Sequence, residues 1–132
     1  MNLMSKLAMN SLWAPDVQKQ ANHQSIIIFD WDDTLMASTC IGQFKNLDMH
    51  RDNCRDQLPK FVLNYLADLE KQVVRLLKKS IRNGLTFIIT NAGLGWVELT
   101  AMRFMPTVHR EFIRNADKYG IKIISAREMF EQ

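Results

Sequence analysis

Three short apolar runs, each next to turn-forming residues, constrain the fold of this chain more than any other feature. They are residues 25–30 (SIIIFD), Leu85–Thr90 (LTFIIT) and Ile121–Ser125 (IKIIS). The Ile-Ile-Ile-Phe run is apolar at consecutive positions, which is typical of a strand buried on both faces of a parallel sheet. We therefore predict three buried strands.

Helical patterns separate these runs. From Pro59 to Asn83 apolar residues recur at intervals of three and four, which predicts one long amphipathic helix that ends at Gly84. Residues 96–105 and 107–119 are also helical in pattern, and Pro106 starts the second segment or kinks a continuous helix. Alternating strands and helices predict an α/β fold, a three-layer Rossmann-like parallel sheet with flanking helices joined by right-handed crossovers.

The chain divides into an extension and one domain. Residues 1–24 are polar, are interrupted by Pro15, and predict an N-terminal extension with one short helix; residues 25–132 form the domain. Residues 37–59 have no sustained period and are rich in Asn, Asp, Gly and Gln, which predicts a small flap or loop insertion instead of a large cap. Residues 126–132 begin a further helical segment.

Three acids, Asp30, Asp32 and Asp33, follow the first strand directly. Neighbouring carboxylates disfavour one another's ionisation, and burial adds to this cost, so a compensating ligand is expected. A strand-end carboxylate can attack phosphorus, and an acid two residues on can transfer protons. Two carboxylates would repel a phosphate unless a divalent cation such as Mg²⁺ lay between them.

The second strand ends in Thr90, which offers a hydroxyl donor to the same crevice if the two strands are neighbours. Residues 91–95 (NAGLG) then offer backbone N–H groups at a helix start, which suits an anion. We expect Asp30 and Thr90 to face one site at the carboxyl ends of the strands.

These two stretches resemble a known family. Residues 27–35 (IIFDWDDTL) resemble the first motif of the haloacid dehalogenase-like (HAD) superfamily, an apolar strand followed by DxDx(T/V)(L/V). Residues 87–91 (FIITN) look like its second motif, an apolar strand that ends in Ser or Thr. The resemblance covers residues 25–125.

The resemblance implies a phosphohydrolase that works through an aspartyl-phosphate. Asp30 would be the nucleophile and Asp32 the general acid/base, while the Asp30 carboxylate and the Asp32 backbone carbonyl would bind Mg²⁺. Thr90, with the backbone at Asn91, would hold the phosphoryl oxygens, and Thr34 would brace the turn. Asp33 stands at a free position of the motif and receives no catalytic role.

The family's third and fourth motifs, a cation and acids after a further strand, are not assigned here. After Ser125 only AREMFEQ follows, without another apolar strand. We therefore expect a truncated or minimal HAD-like domain. The first strand would then have an uncovered apolar edge, an aggregation hazard. A partner chain, self-association or the N-terminal segment would cover it.

Other interpretations stay open. The acids could form a strand-ending Asx turn that caps the next segment. The fold could be a catalytically inactive HAD-like structural or interaction subunit, because two motifs are missing. A nucleic-acid-end phosphatase is a weaker reading, based on cations that share one helix side: Lys71, Arg75, Lys78, Lys79 and Arg82. A solvated face explains these cations better, so we do not expect nucleic acid.

Composition limits the class of protein and its surroundings. A net charge of +3 and a pI near 9.0 are too mild to indicate nucleic-acid binding, and no apolar run approaches the ~20 residues of a membrane span. Cys40 and Cys54 are not spaced for a metal or a disulfide framework. We expect an intracellular, cytoplasmic protein with a phosphorylated substrate of undefined class. Organelle targeting by the N-terminal segment stays open.

Overall fold

The structure is a computed structural model that describes residues 24–131. The extension and targeting predictions for residues 1–23 lie outside the described residues. Three strands form one sheet: β1 (Ile26–Asp30), β2 (Leu85–Thr90) and β3 (Ile121–Ser125). Their order is β1-β2-β3, and both neighbouring pairs are parallel. The predicted α/β architecture with a parallel sheet and flanking helices is confirmed.

The helices connect the strands as the periodicity predicts. They are α1 (Ser38–Gly42), α2 (Lys60–Asn83), α3 (Trp96–Phe104), α4 (Pro106–Val108) and α5 (Ala126–Phe130). The long helix α2 buries an apolar stripe that includes Val62, Leu66, Val73 and Leu77. Pro106 occupies the start of α4, where its missing N–H costs no helical hydrogen bond.

Two segments differ from the prediction. Residues 37–59 contain α1 and a 3₁₀ turn, Cys54–Gln57, because elements of four or five residues are too short to produce a visible period. Residues 107–119 are not one α-helix. After α4 the chain forms a π-helical turn, His109–Ile113, and a 3₁₀ turn, Ala116–Tyr119, which ends at Gly120 with φ of 70°.

The hydrophobic core lies on one face of the sheet. Ile88 of β2 and Ile121 of β3 are buried there against Leu66 and Leu77 of α2 and Phe104 of α3. The Ser80 and Thr86 hydroxyls, one from α2 and one from β2, share a buried hydrogen bond of 2.6 Å. Helices α2 and α3 therefore pack on the face that carries Thr86 and Ile88.

The opposite sheet face is apolar and lies outside that core. Register pairs Ile26 with Leu85 and Ile28 with Phe87, so these side chains share a face. Ile26 and Ile28 are 62% and 61% exposed, and this face contributes no residue to the core formed by the described part of the chain. Two layers are thus present among residues 24–131, and the third layer stays a prediction.

Gly84 lies where the chain passes from α2 to β2 beside the start of β1. A Cβ atom added there would lie 2.5 Å from the Ser25 carbonyl oxygen, which also accepts a hydrogen bond of 2.8 Å from Leu85 N. Because this hydrogen bond holds the two backbone segments together, neither can move away from an added Cβ atom at low energetic cost. We expect Gly84→Ala to lower the free energy of unfolding by about 1–3 kcal/mol in urea titrations. Gly42→Ala, where nothing lies within 4 Å of the added Cβ, is the matched control. Equal stability of the two variants would contradict this packing.

Three observations bear on the predictions about membrane spans, the cysteines and the cationic side of the long helix. Between residues 24 and 131 no helix is long and apolar enough to cross a membrane. Cys40 and Cys54 are both free thiols. On the cationic side of α2, Lys71 pairs with Asp68 at 3.3 Å and Lys78 approaches Glu111 at 3.9 Å. These exposed pairs fit a solvated helix face.

Candidate active site

The chain makes a tight turn where β1 ends. Trp31 N donates to the Ile89 carbonyl at 2.8 Å, which extends the β1–β2 pairing by one residue. The Trp31 carbonyl then accepts from Leu35 N at 3.0 Å and Met36 N at 2.9 Å. The side chains of Trp31, Leu35 and Met36 are all buried. These buried apolar side chains fix the turn. The acids between them are therefore held at the carboxyl end of β1.

Asp32 is the most strongly bound acid of the three. Its Oδ1 accepts from Ser38 Oγ at 2.6 Å and from Trp96 Nε1 at 2.8 Å, and its Oδ2 accepts from Thr90 Oγ1 at 2.6 Å. The donors come from α1, from the end of β2 and from the start of α3. Both carboxylate oxygens are therefore engaged, and the first two predicted motifs meet.

Two opposing effects act on the Asp32 carboxyl. Partial burial raises its pKa, whereas hydrogen bonds from Ser38, Thr90 and Trp96 lower it. The hydrogen bonds together outweigh burial, so the pKa lies below its ordinary value of 3.8. Asp32 is consequently an anion at neutral pH.

Asp30 has a contrasting environment. It is the last residue of β1, its side chain is exposed, and it accepts no hydrogen bond from residues 24–131 that the structure defines. By register it stands beside Ile89 of β2, so within the strands its side chain lies on the open face, whereas Thr90 lies on the buried face with Ile88. An exposed carboxylate without a competing donor is free to contact a ligand.

Asp33 fits the interpretation that an acid after β1 caps the next segment instead of binding a ligand. Its backbone has φ of 57°, a left-handed conformation that Asp adopts more readily than most residues. Its carboxylate accepts hydrogen bonds from the backbone N–H and the hydroxyl of Thr39, in the first turn of α1. These bonds lower the pKa of the Asp33 carboxyl. Asp33 thus caps the first turn of α1 from six residues upstream, without forming an Asx turn, and this role does not explain Asp32.

The loop after β2 lies next to Asp32. Ala92 N donates to Thr90 Oγ1 at 3.1 Å, and the Ala92 carbonyl accepts from Ser125 Oγ of β3 at 2.7 Å. Asn91 is exposed, and Gly95 has φ of 82° immediately before α3. This arrangement places exposed backbone beside Thr90, at the start of a nine-residue helix.

The remaining predicted residue, Thr34, lies in the turn itself. Its N–H reaches the Trp31 carbonyl at 3.4 Å, and its side chain is exposed. Trp31 is fully buried, and its Nε1 donates to Thr100 Oγ1 at 2.9 Å. Trp31 is therefore a core residue and does not line the entrance of a pocket.

Sequence reasoning missed Ser38 and Trp96 as partners of Asp32. Trp96 is 64 residues from Asp32, in a segment whose pattern predicts only a helix, whereas Ser38 is six residues away in the segment predicted as a flap or loop. A polar residue in the flap close to the acids was the available signal for Ser38. The indole of Trp96 gave none, because its N–H donor is invisible in an apolar pattern.

The described residues contain no group of three or more His, Cys, Asp or Glu side chains arranged to hold a metal ion. Asp30 and Asp32 are the two acids predicted to bind Mg²⁺. Hydrogen bonds already occupy both carboxylate oxygens of Asp32.

Comparisons with protein-family models, with curated proteins and with solved structures found no match to this chain.

Proposed function

We propose that this chain is a HAD-like, Mg²⁺-dependent phosphohydrolase that forms an aspartyl-phosphate on Asp30. The observation that supports this best is the hydrogen bond of 2.6 Å between Thr90 Oγ1 and Asp32 Oδ2. It joins two motifs 58 residues apart in the sequence, at the carboxyl ends of neighbouring parallel strands. In open α/β sheets, ligand sites lie at the carboxyl ends of the strands.

The residues suit Mg²⁺ when substrate is included. This ion is usually bound by one or two carboxylates together with substrate phosphate oxygens and water, instead of a cage made only of protein. Asp30 suits the carboxylate role because it is exposed and unshared among the described residues. Asp32 would contribute its backbone carbonyl, since its carboxylate is occupied. Bound Mg²⁺ would offset the repulsion between Asp30 and a phosphate.

In the proposed reaction the Asp30 carboxylate attacks phosphorus, and the ester oxygen leaves with a proton from Asp32. Water then attacks the phosphorus of the aspartyl-phosphate, Asp32 takes its proton, and inorganic phosphate leaves. Thr90 and the backbone N–H groups around Asn91 hold the phosphoryl oxygens. Thr34 lies in the turn that carries the acids, and residues 24–131 contribute no cap domain over the crevice. An open crevice would suit large substrates such as phosphoproteins.

The hydrogen bonds of Asp32 favour its anion, which suits the second step and opposes the first. When Thr90 Oγ1 turns to a phosphoryl oxygen, Asp32 loses one of these donors. The pKa of Asp32 then rises, its carboxylate takes up a proton from solvent, and this is the proton given to the leaving ester oxygen, so substrate binding and acid catalysis are linked through Thr90.

Asp32→Asn tests the proton-transfer role. We expect this variant to hydrolyse an aryl phosphate ~10²–10⁴-fold more slowly in the presence of Mg²⁺, because the amide cannot exchange a proton. Asp33→Asn is the matched control, since the hydrogen bonds to the Asp33 carboxylate come from Thr39 at the start of α1. It should keep a rate close to that of the wild type. An Asp32→Asn variant as active as its control would remove Asp32 from the mechanism.

A second candidate is a catalytically inactive HAD-like structural or interaction subunit. The occupied carboxylate of Asp32, and the lack among residues 24–131 of three acids arranged to hold a metal ion, favour it. It predicts a stoichiometric partner that co-purifies with the chain and no Mg²⁺-dependent phosphate release. A monomer that turns over an aryl phosphate would exclude this candidate.

A further inference from the structure

A cavity of about 650 Å³ opens beside β3, on the side of the sheet away from β1. Its apolar lining is Ile113 and Ile121, which are buried, and Ile123, which is half-buried. Its polar lining comes from α3, from the π-helical turn and from the chain that follows this turn. Sites for small molecules have volumes of about 300–1,000 Å³ and combine apolar walls with a few polar groups. This cavity has both properties.

The π-helical turn brings two polar residues to the cavity. Arg114 N donates to the His109 carbonyl at 2.8 Å, which closes the turn, and both residues line the cavity. Turns of this kind are rare in proteins and occur frequently at functional sites. The local backbone therefore places a guanidinium and an imidazole on one wall.

Two lining residues carry opposite charges that the described chain leaves unpaired. Arg114 and Glu98 are exposed, and neither forms an ion pair with another residue between 24 and 131. Both charges act on His109: burial lowers the pKa of its ring, Arg114 lowers this pKa further, and Glu98 raises it. The guanidinium and the carboxylate therefore lie close to the same ring. Because the pKa of His109 falls below its ordinary value of 6.5, the ring is neutral at neutral pH and does not repel a cation.

The other charged residues of the cavity have partners. Asp117 pairs with Lys122 at 3.1 Å, and the Lys118 ammonium lies 5.9 Å from the centre of the Tyr119 ring. A ligand with a single charge would leave either Arg114 or Glu98 uncompensated. A ligand with both charges would pair with each of them.

We propose that this cavity binds a free α-amino acid with a large apolar side chain. Arg114 holds the carboxylate through two parallel N–H···O hydrogen bonds, and Glu98 accepts from the ammonium group. The ligand's side chain packs on Ile121 and Ile123. Neutral His109 offers one donor and one acceptor to the same ligand.

The cavity is separate from the candidate active site and adjoins it. Glu98 and Ile123 also line the smaller space beside Thr90, whereas Asp30 and Asp32 line neither space. The inference does not depend on the proposed enzymatic activity. Binding of the amino acid should consequently be the same in Asp30→Asn as in the wild type.

Amide NMR titration of the full chain with three probes tests this proposal. L-phenylalanine carries both charges, 3-phenylpropanoate lacks the ammonium group, and 2-phenylethylamine lacks the carboxylate. We expect chemical-shift changes at residues 109–118 and 121–123, and binding of phenylalanine at least about tenfold tighter than that of either analogue. No binding of phenylalanine, shift changes confined to other residues, or equal affinity for the three probes would overturn the proposal.

Two variants assign each charge to its partner. Arg114→Gln should weaken the binding of phenylalanine and 3-phenylpropanoate and leave that of 2-phenylethylamine unchanged. Glu98→Gln should weaken the binding of phenylalanine and 2-phenylethylamine and leave that of 3-phenylpropanoate unchanged. Both residues are exposed, so both variants should keep the amide spectrum of a folded chain.

Arg110→Gln is the matched control for Arg114→Gln. Arg110 belongs to the same π-helical turn, lies outside the lining of the cavity and approaches Glu111 at 4.0 Å. Its replacement should leave the affinity for all three probes unchanged. Equal effects of the two arginine variants would contradict the proposed carboxylate contact, and loss of binding in Asp30→Asn would move the ligand to the active site and overturn the proposal.

Discussion

Asp30→Asn abolishes Mg²⁺-dependent hydrolysis of an aryl phosphate, if Asp30 is the nucleophile as proposed. The amide cannot form the acyl-phosphate bond, so the loss exceeds that expected for Asp32→Asn, which removes only proton transfer. Because Asp30 is exposed and accepts no hydrogen bond from the described residues, the variant should remain folded. Phosphate release and far-ultraviolet circular dichroism on one preparation measure both properties.

The wild-type chain and Asp33→Asn are the controls for that experiment. An Asp30→Asn variant that retains wild-type, Mg²⁺-dependent release of phosphate would contradict the proposed mechanism. A wild-type chain that binds Mg²⁺ and phosphate but releases no product would favour the inactive subunit instead. The two outcomes are distinguishable because the second is observed before any substitution is made.

Trp31→Ala has the largest expected effect on stability. The side chain is 0% exposed and packs in the core, and its indole N–H donates to Thr100 Oγ1. Truncation leaves a cavity and removes the donor to Thr100 Oγ1, which keeps its own hydrogen bond of 2.7 Å to the Trp96 carbonyl, so the free energy of unfolding should fall by about 3–5 kcal/mol. Urea titration followed by circular dichroism measures this change.

Phe61→Ala is the matched control for Trp31→Ala. Phe61 lies in the first turn of α2 and is 73% exposed, so its truncation should change the free energy of unfolding by about 0.5 kcal/mol or less. If Trp31 lined a binding pocket instead of the core, its truncation would weaken substrate binding and leave the unfolding midpoint near that of Phe61→Ala.

The strands and the long helix could be predicted from the sequence because each has a strong local signal. The Leu85–Thr90 and Ile121–Ser125 runs are bounded by turn residues, and the buried apolar stripe of α2 persists from Val62 to Leu77, about four turns. The sequence left open whether β1 and β2 are neighbours, and the structure pairs them in parallel. These features depend on residues close together in the chain.

The contacts of Asp32 could not be predicted in the same way. Trp96 reaches it from α3 through an N–H group that the hydrophobic pattern hides, and Ser38 reaches it from a helix too short to have a period. The π-helical turn at His109–Ile113 had no sequence signal either, because it depends on how α4 packs after Pro106. Tertiary contacts decide each of these features.

The position of β1 shows a different limit. Its Ile-Ile-Ile-Phe run predicts a strand buried on both faces, yet Ile26 and Ile28 are exposed and β1 is the outer strand of the sheet formed by the described residues. Hydrophobicity indicates that a surface will be covered, and it does not identify what covers it.

The central claim is that the acids at the end of β1 are compensated by Mg²⁺ and a phosphoryl group. A crystal structure of the chain with Mg²⁺ and beryllofluoride, a mimic of phosphorylated aspartate, tests it most directly. We expect beryllofluoride to be bound through beryllium to the Asp30 carboxylate. Mg²⁺ should contact that carboxylate and the Asp32 carbonyl, and Thr90 Oγ1 should donate a hydrogen bond to a fluorine. An empty site, with Asp30 turned into solvent and Asp32 still bound to Ser38, Thr90 and Trp96, would contradict it.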